Sequence, residues 1–97
     1  MAQRQIIAVR MTGGTLHRHI VGVCYMVTSE TPFTAFTSSV DKIVEKLDAG
    51  VIFFTRDADG TIADVVVVNA NRQRYIQTVS DGVRSDNLLR LPRYQRD

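Results

Sequence analysis

The sequence predicts a single α+β domain with the element order ββαβββ, in which one amphipathic helix packs on one face of a mainly antiparallel five-stranded sheet. Three observations support this prediction. Five segments carry the residue alternation or the β-branched residues typical of strands, short turns separate most of them, and one segment has helical periodicity. A chain of 97 residues suits one domain. We expect its core over about residues 5–92 and a loose tail at 93–97.

The first two strands are expected to form an antiparallel hairpin over residues 5–11 and 16–27. Residues 12–15 lie between them and contain two adjacent glycines, which supply the positive φ that tight hairpin turns require. Residues 28–36 contain a proline and are predicted to be a loop. On one face of the first strand we expect Ile7, Val9 and Met11.

The helix is predicted over residues 39–49. Ser38 is its expected N-cap, and Gly50 stands where a left-handed residue commonly ends a helix. One apolar stripe, at the spacing i, i+3, i+4 and i+7, consists of Val40, Ile43, Val44 and Leu47.

Three further strands are expected at residues 51–56, 61–69 and 74–79, and the short turns between them predict an antiparallel meander. Beyond residue 80 the chain has too many turn residues for a long element. A cluster of leucines there indicates a single helical turn packed on the sheet, which ends at Pro92. These leucines are Leu88, Leu89 and Leu91.

Composition narrows the class of protein. Hydrophobic residues make up 44% and charged residues 23%, which is ordinary for a folded domain. The single cysteine cannot form an internal disulfide, which fits a reducing compartment. The N-terminus lacks the apolar stretch of a signal peptide, and no run approaches the roughly 20 apolar residues of a membrane span. We therefore expect a cytoplasmic protein without a membrane partner.

Arginine dominates the basic residues and is concentrated in the C-terminal third. The formal net charge is +2, and ten of the twelve basic residues are arginines. Guanidinium groups interleaved with aromatic rings are typical of surfaces that hold a nucleic-acid backbone and stack bases. A solvated strand face with a loose tail explains the same pattern. The candidate nucleic-acid-binding residues are Arg72, Arg74, Tyr75, Arg84, Arg90 and Arg93.

Metal and thiol chemistry have weaker support in the sequence. His17 and His19 would share a face of a strand and could both reach one metal ion, but no further ligands at a suitable spacing accompany them. Cys24 lies among apolar strand residues, so a buried structural thiol is the favoured interpretation over a nucleophile. The sequence predicts no metal, no cofactor and no catalytic residue.

The opening and closing motifs resemble one bacterial family. The matching segments are Ile6-Ile7-Ala8-Val9-Arg10-Met11, His17-x-His19-Ile20, Tyr75-Ile76-x-Thr78, and Asp81-Gly82 followed by Asp86-Asn87-Leu88-Leu89-x-Leu91-Pro92. From about Gln5 to Pro92 the chain is similar to the family catalogued as domain of unknown function 3892. The resemblance implies a small, stand-alone bacterial or phage-associated protein, and it supplies no activity, cofactor or site residue.

The closing motif allows two interpretations. In the first, Asp86 caps the helical turn that follows it, and the motif stabilises the open end of the sheet. In the second, polar side chains converge at one rim as a binding pocket. The residues of this rim are Thr78, Asp81, Asp86 and Asn87.

A non-catalytic binding or regulatory module is the function that the sequence favours, with nucleic acid as its first candidate partner. The alternative is a protein-interaction module, including an inhibitor that docks on a larger complex through an exposed strand edge. Homodimerisation through an edge strand is compatible with both.

Overall fold

A computed structural model describes residues 3–27, 35–58, 60–70, 73–80, 82–85 and 87–94. Within these residues the strands are β1 (Arg4–Met11), β2 (Ile20–Val27), β3 (Ala35–Ser39), β4 (Phe53–Arg56), β5 (Ile62–Ala70), β6 (Gln73–Ser80) and β7 (Val83–Ser85). The helix α1 spans Val40–Asp48, and two 3₁₀ helices span His17–His19 and Asn87–Arg90.

All seven strands form one mixed sheet in the order β3-β2-β1-β4-β5-β6-β7. The pair β1–β4 is parallel, and the other neighbouring pairs are antiparallel. The predicted α+β class with a single helix is confirmed, but the count of five strands is wrong and the antiparallel character is only partial. The parallel pair arises because α1 crosses the sheet between β3 and β4, and such a crossover brings the chain back in the same direction.

Both additional strands lie at the edges of the sheet, where sequence patterns are weakest. Most of β3 is exposed, so no face of it must be apolar, and its sequence Ala-Phe-Thr-Ser-Ser shows no alternation of apolar and polar residues. Its first two residues fall in the predicted loop. The strand β7 has three residues, too few for any period to be visible. Hydrogen bonding to β2 and β6, rather than burial of a face, holds these two segments extended.

Two bulges set which side chains of the first hairpin face α1, on what we call the inner face of the sheet. Ile7 has no partner on β2, and Val21 has none on β1. Each extra residue shifts the alternation by one. Ile6 and Val9 are therefore both fully buried, whereas Ile7 is only half-buried. The prediction that Ile7 and Val9 lie on the same face is wrong for this reason.

The helix begins one residue later than predicted. The Ser39 side chain, not that of Ser38, accepts a hydrogen bond from the Lys42 backbone N–H, at 3.4 Å. Gly50 has a φ of 93°, the left-handed conformation expected after the helix. No helix in the described part of the chain is long and apolar enough to cross a membrane.

The sheet is strongly curled around α1. The helix contacts β2 and β3 and also β5 and β6, although β1 and β4 lie between these pairs in the sheet. The buried cluster between helix and sheet draws on β1, β2, β4, β5, β6 and α1. Its members are Ile6, Val9, Ile20, Val23, Val40, Ile43, Val44, Phe53, Val65, Ile76 and Leu88.

The C-terminal segment closes the core beside β1. Leu88 in the second 3₁₀ helix is fully buried, which confirms the predicted helical turn packed on the sheet. The Val9 N–H donates to the Pro92 carbonyl, and the Tyr94 N–H donates to the Val9 carbonyl. Arg93 and Tyr94 are thus paired with β1 where a loose tail was expected, because β1 extends beyond its short pairing with β4 and leaves backbone groups to satisfy.

Candidate functional site

The arginines nominated from the sequence do not share one face. Arg74 lies on the inner face of β6, like Ile76, and its guanidinium forms a salt bridge with Asp48 at the end of α1, with 2.6 Å between Nη2 and Oδ2. Both side chains are about half exposed. Such a pair contributes roughly 0.2–1 kcal/mol and partly neutralises the Arg74 charge. Arg72 lies outside the described residues.

The other nominated arginines lie in the elements that follow β6 in the chain. Arg84 is exposed on the edge strand β7, opposite Val79. Arg90 is exposed in the second 3₁₀ helix. The Arg93 guanidinium donates to the carbonyls of Leu89 and Leu91, at 2.8 and 2.6 Å. Arg93 therefore satisfies the free carbonyls at the end of that helix, which is a structural role.

Two of the four residues that the closing motif predicted to form a polar rim lie among the described residues. Thr78 on β6 is fully buried, and Asn87 at the start of the second 3₁₀ helix is 6% exposed. The Asn87 side-chain amide donates to the Asp57 carboxylate at 3.4 Å. Asp81 and Asp86 lie outside the described residues. Asp57, which the sequence placed in a turn, is the group that this rim gains from the structure.

The two histidines do not lie on a strand, which removes the geometric argument for a shared metal. They belong to a 3₁₀ helix, in which residues i and i+2 point in different directions. The His19 Nδ1 accepts a hydrogen bond from the Leu16 N–H at 3.1 Å, and its ring packs on Gly14, where a Cβ would overlap the imidazole. His19 thus organises the turn before β2. Among the described residues, no three His, Cys, Asp or Glu side chains are placed to hold a metal ion.

Cys24 lies in the middle of β2, opposite Ala8 on β1 and Thr37 on β3. It is partly buried rather than fully enclosed, and this burial raises the pKa of its thiol. A raised pKa lowers the fraction of thiolate at neutral pH, so the environment of Cys24 does not activate it as a nucleophile.

The curl of the sheet creates a junction between two distant segments of the chain that no local pattern predicts. The 3₁₀ helix His17–His19 packs against the start of β6, and the Gln73 side-chain amide donates to the Arg18 carbonyl at 3.1 Å. We call this junction the seam. It joins segments 55 residues apart in the chain.

A cleft of about 520 Å³ opens at the seam on the Tyr75 side of β6. We call it the seam cleft. Tyr75 and His17 are half-buried in it, whereas Arg18 and Gln73 are exposed. Of the described residues that line it, none is acidic. The lining consists of Leu16, His17, Arg18, Ala70, Gln73 and Tyr75.

A second cleft, of about 470 Å³, lies across Gln73 on the Arg74 side, beside the start of α1, and we call it the helix cleft. Arg18 and Gln73 line both clefts, so the two are contiguous. The helix cleft also contains Asp41, whose carboxylate offsets part of the positive charge.

The seam collects three residues nominated from the sequence, His17, Arg74 and Tyr75, and two that sequence reasoning missed, Arg18 and Gln73. Arg18 stands between the two histidines, which is the one local signal that could have drawn attention to it. Its guanidinium forms no ion pair with any residue that the structure describes. The seam thus presents an arginine without an ion pair among the described residues, two aromatic rings and an amide around one opening.

Comparison with known proteins identifies the family but no activity. A family model described as a protein of unknown function (DUF3892) matches residues 5–92, which confirms the resemblance carried by the opening and closing motifs. No curated protein and no solved structure matches the chain.

Proposed function

Because the chain belongs to the DUF3892 family, whose function is unknown, its relatives supply no activity, and from the seam we propose that it is a non-catalytic module that binds nucleic acid. One observation carries the proposal: the seam cleft combines the exposed Arg18 guanidinium with the rings of Tyr75 and His17, and no described lining residue is acidic. Guanidinium groups bind phosphate as a planar fork, and aromatic rings stack on bases.

This proposal moves the interface away from most of the C-terminal arginines. Arg93 donates to backbone carbonyls, and Arg84 lies opposite Val79 near the end of β6, whereas the seam is at the start of that strand. The residues expected to contact nucleic acid are therefore Arg18, Gln73 and Tyr75, with Arg74 in a supporting position. Protein–phosphate contacts release counterions, so the affinity should fall as salt rises.

Fluorescence anisotropy with labelled single-stranded and duplex oligonucleotides, across a salt titration, tests the proposal. We expect Arg18→Ala to weaken binding several-fold and to reduce the slope of log K against log salt by about one. Arg84→Ala is the matched control, since it removes another exposed arginine that lies outside the seam, and it should leave the affinity unchanged. Absence of binding at low salt, or equal loss in both variants, would overturn the assignment to the seam.

A second candidate function is protein interaction through a sheet edge, and the exposure of β7 favours it. Among the described strands, β7 pairs with β6 alone, and Val83 is 67% exposed. An open edge of this kind accepts a strand from another chain. Sedimentation analysis should then show self-association that survives high salt and disappears in Val83→Lys. A monomer at all concentrations would exclude the homodimer.

A further inference from the structure

The two clefts at the seam differ in chemistry although they share Arg18 and Gln73. Adjacent residues of a strand point to opposite faces, so Tyr75 lines the seam cleft and Arg74 the helix cleft. The seam cleft holds the aromatic rings, whereas the helix cleft holds the charged groups Arg74 and Asp41. Gln73 lies between them with its amide bonded to the Arg18 carbonyl.

The size of the seam cleft limits what can enter it. Its volume of about 520 Å³ lies within the roughly 300–1,000 Å³ of pockets that enclose small ligands. A base inside a duplex is paired and stacked on both faces, and it must leave the stack before a pocket can take it. A single strand exposes its bases without that cost. A concave pocket with an aromatic wall therefore fits an unpaired base and not an intact duplex.

Tyr75 is the group suited to hold that base. Its ring is half-buried, so it is ordered by its neighbours while part of its surface faces the cleft. Stacking on an aromatic ring tolerates any base, because every base has a π face. The seam cleft offers few donors and acceptors in addition, chiefly the Gln73 amide, whose nitrogen already donates to the Arg18 carbonyl.

The charged side chains around the two clefts indicate where the phosphate next to the stacked base would bind. Arg18 has no ion pair among the described residues, whereas the charge of Arg74 is partly neutralised by Asp48. Asp41 in the helix cleft repels an anion. A phosphate beside the stacked base is therefore held mainly by Arg18, at the boundary between the clefts, and the Asp41 carboxylate weakens this contact.

We infer that the seam binds single-stranded nucleic acid, with one unpaired base stacked on Tyr75 in the seam cleft and the adjoining phosphate held by Arg18 beside Gln73. This inference rests on the proposed function and specifies its ligand. It predicts three properties that general phosphate binding does not: a preference for single strands, an affinity that depends on the Tyr75 ring, and a higher affinity when Asp41 loses its charge.

The test compares one oligonucleotide sequence as a single strand and as a duplex, by anisotropy at low salt. Single-strand binding should be at least about tenfold tighter, and Tyr75→Ala should reduce it by about 5- to 150-fold, the range that corresponds to stacking of one base. Tyr75→Phe should retain the affinity within about twofold, since a ring of the same size stacks equally. Asp41→Asn should tighten binding, and Asp64→Asn, which removes an exposed carboxylate that lines neither cleft, is its matched control.

A second readout does not depend on the folding of Tyr75→Ala. The chain has three tyrosines and no tryptophan, so its ultraviolet emission reports on tyrosine alone. A stacked base should quench part of this emission, and the quenching should vanish in Tyr75→Phe while binding remains. Quenching that persists in Tyr75→Phe would place the base against another ring and overturn the inference.

The outcomes separate the inference from the proposed function. Equal affinity for duplex and single strand, with Arg18→Ala still weakened, would refute the single-strand inference and leave nucleic-acid binding intact. Competition by a mononucleotide as effective as the oligonucleotide would show a free-nucleotide site and would also refute the inference. No binding of any nucleic acid would overturn both.

Discussion

Gly22 leaves room for a side chain that lies over it, and its own backbone conformation does not favour glycine. A Cβ at this position would lie 2.9 Å from the Tyr94 hydroxyl and 3.3 Å from the Ser38 carbonyl oxygen. Tyr94 therefore reaches over β1 to β2, and a side chain at position 22 would displace it. The Tyr94 hydroxyl thus packs over a glycine seventy-two positions earlier in the chain.

Cys24 should react slowly with alkylating reagents in the folded protein. Because burial raises the pKa of its thiol, the thiolate fraction near neutral pH is smaller than in an unfolded chain. We expect the pH midpoint of iodoacetamide alkylation, measured by mass spectrometry, to lie above the value of about 8.5 for a free cysteine. The same reaction in urea is the control, and a lower midpoint in the folded state would contradict the prediction.

The same shift links the thiol to stability. A group whose pKa is higher in the folded than in the unfolded state favours folding below the unfolded pKa, and this contribution is lost as the pH rises through the folded value. Any contribution of Cys24 to stability is therefore present at neutral pH and declines in alkaline solution.

At the scale of elements, the apolar periodicity of the sequence predicts which residues α1 buries, but it does not reveal the edge strands. The helix buries Val40, Ile43 and Val44, three members of the stripe read from the sequence. β3 follows no such pattern, because an edge strand that is exposed on both faces has no side that must be apolar. Sheet pairing can thus extend a segment whose own sequence is neutral.

Ser39→Ala should destabilise the fold by about 0.5–1 kcal/mol, the lower part of the range for loss of an N-cap, because its hydrogen bond to the Lys42 N–H is long. Urea denaturation measures the change in the free energy of unfolding. Ser38→Ala is the matched control and should cost less, since the Ser38 hydroxyl donates to a carbonyl at an exposed position. A larger effect at Ser38 would show that the cap is assigned to the wrong serine.

At the scale of the whole molecule, contacts between distant parts of the chain close the curled sheet. The seam joins the turn before β2 to the start of β6. On the other side, the C-terminal segment pairs with β1 and inserts Leu88 into the core. These two closures place the candidate site at one junction and a structural segment at the other.

Truncation after Pro92 should therefore destabilise the fold by about 1–3 kcal/mol, from loss of the Tyr94 N–H bond to Val9 and of the apolar surface that the Tyr94 ring covers. Thermal and urea unfolding measure the loss. Truncation after Tyr94 is the control, since it keeps residues 93 and 94, and it should be more stable than the shorter chain. Equal stability of both truncations and the full chain would mean that residues 93 and 94 do not contribute to closure.

The sequence by itself determined the α+β class, the single α-helix with its left-handed Gly50, the approximate positions of five strands and the membership of the family. Each of these depends on local periodicity, turn chemistry or a linear motif. Only the tertiary structure decided the parallel pairing of β1 with β4, the two edge strands, the bulges that bury Ile6 rather than Ile7, and the docking of Tyr94. It also brought Arg18 and Gln73 to Tyr75. These features come from hydrogen bonds and packing between residues far apart in the chain, and such contacts leave no periodic trace in the segments that make them.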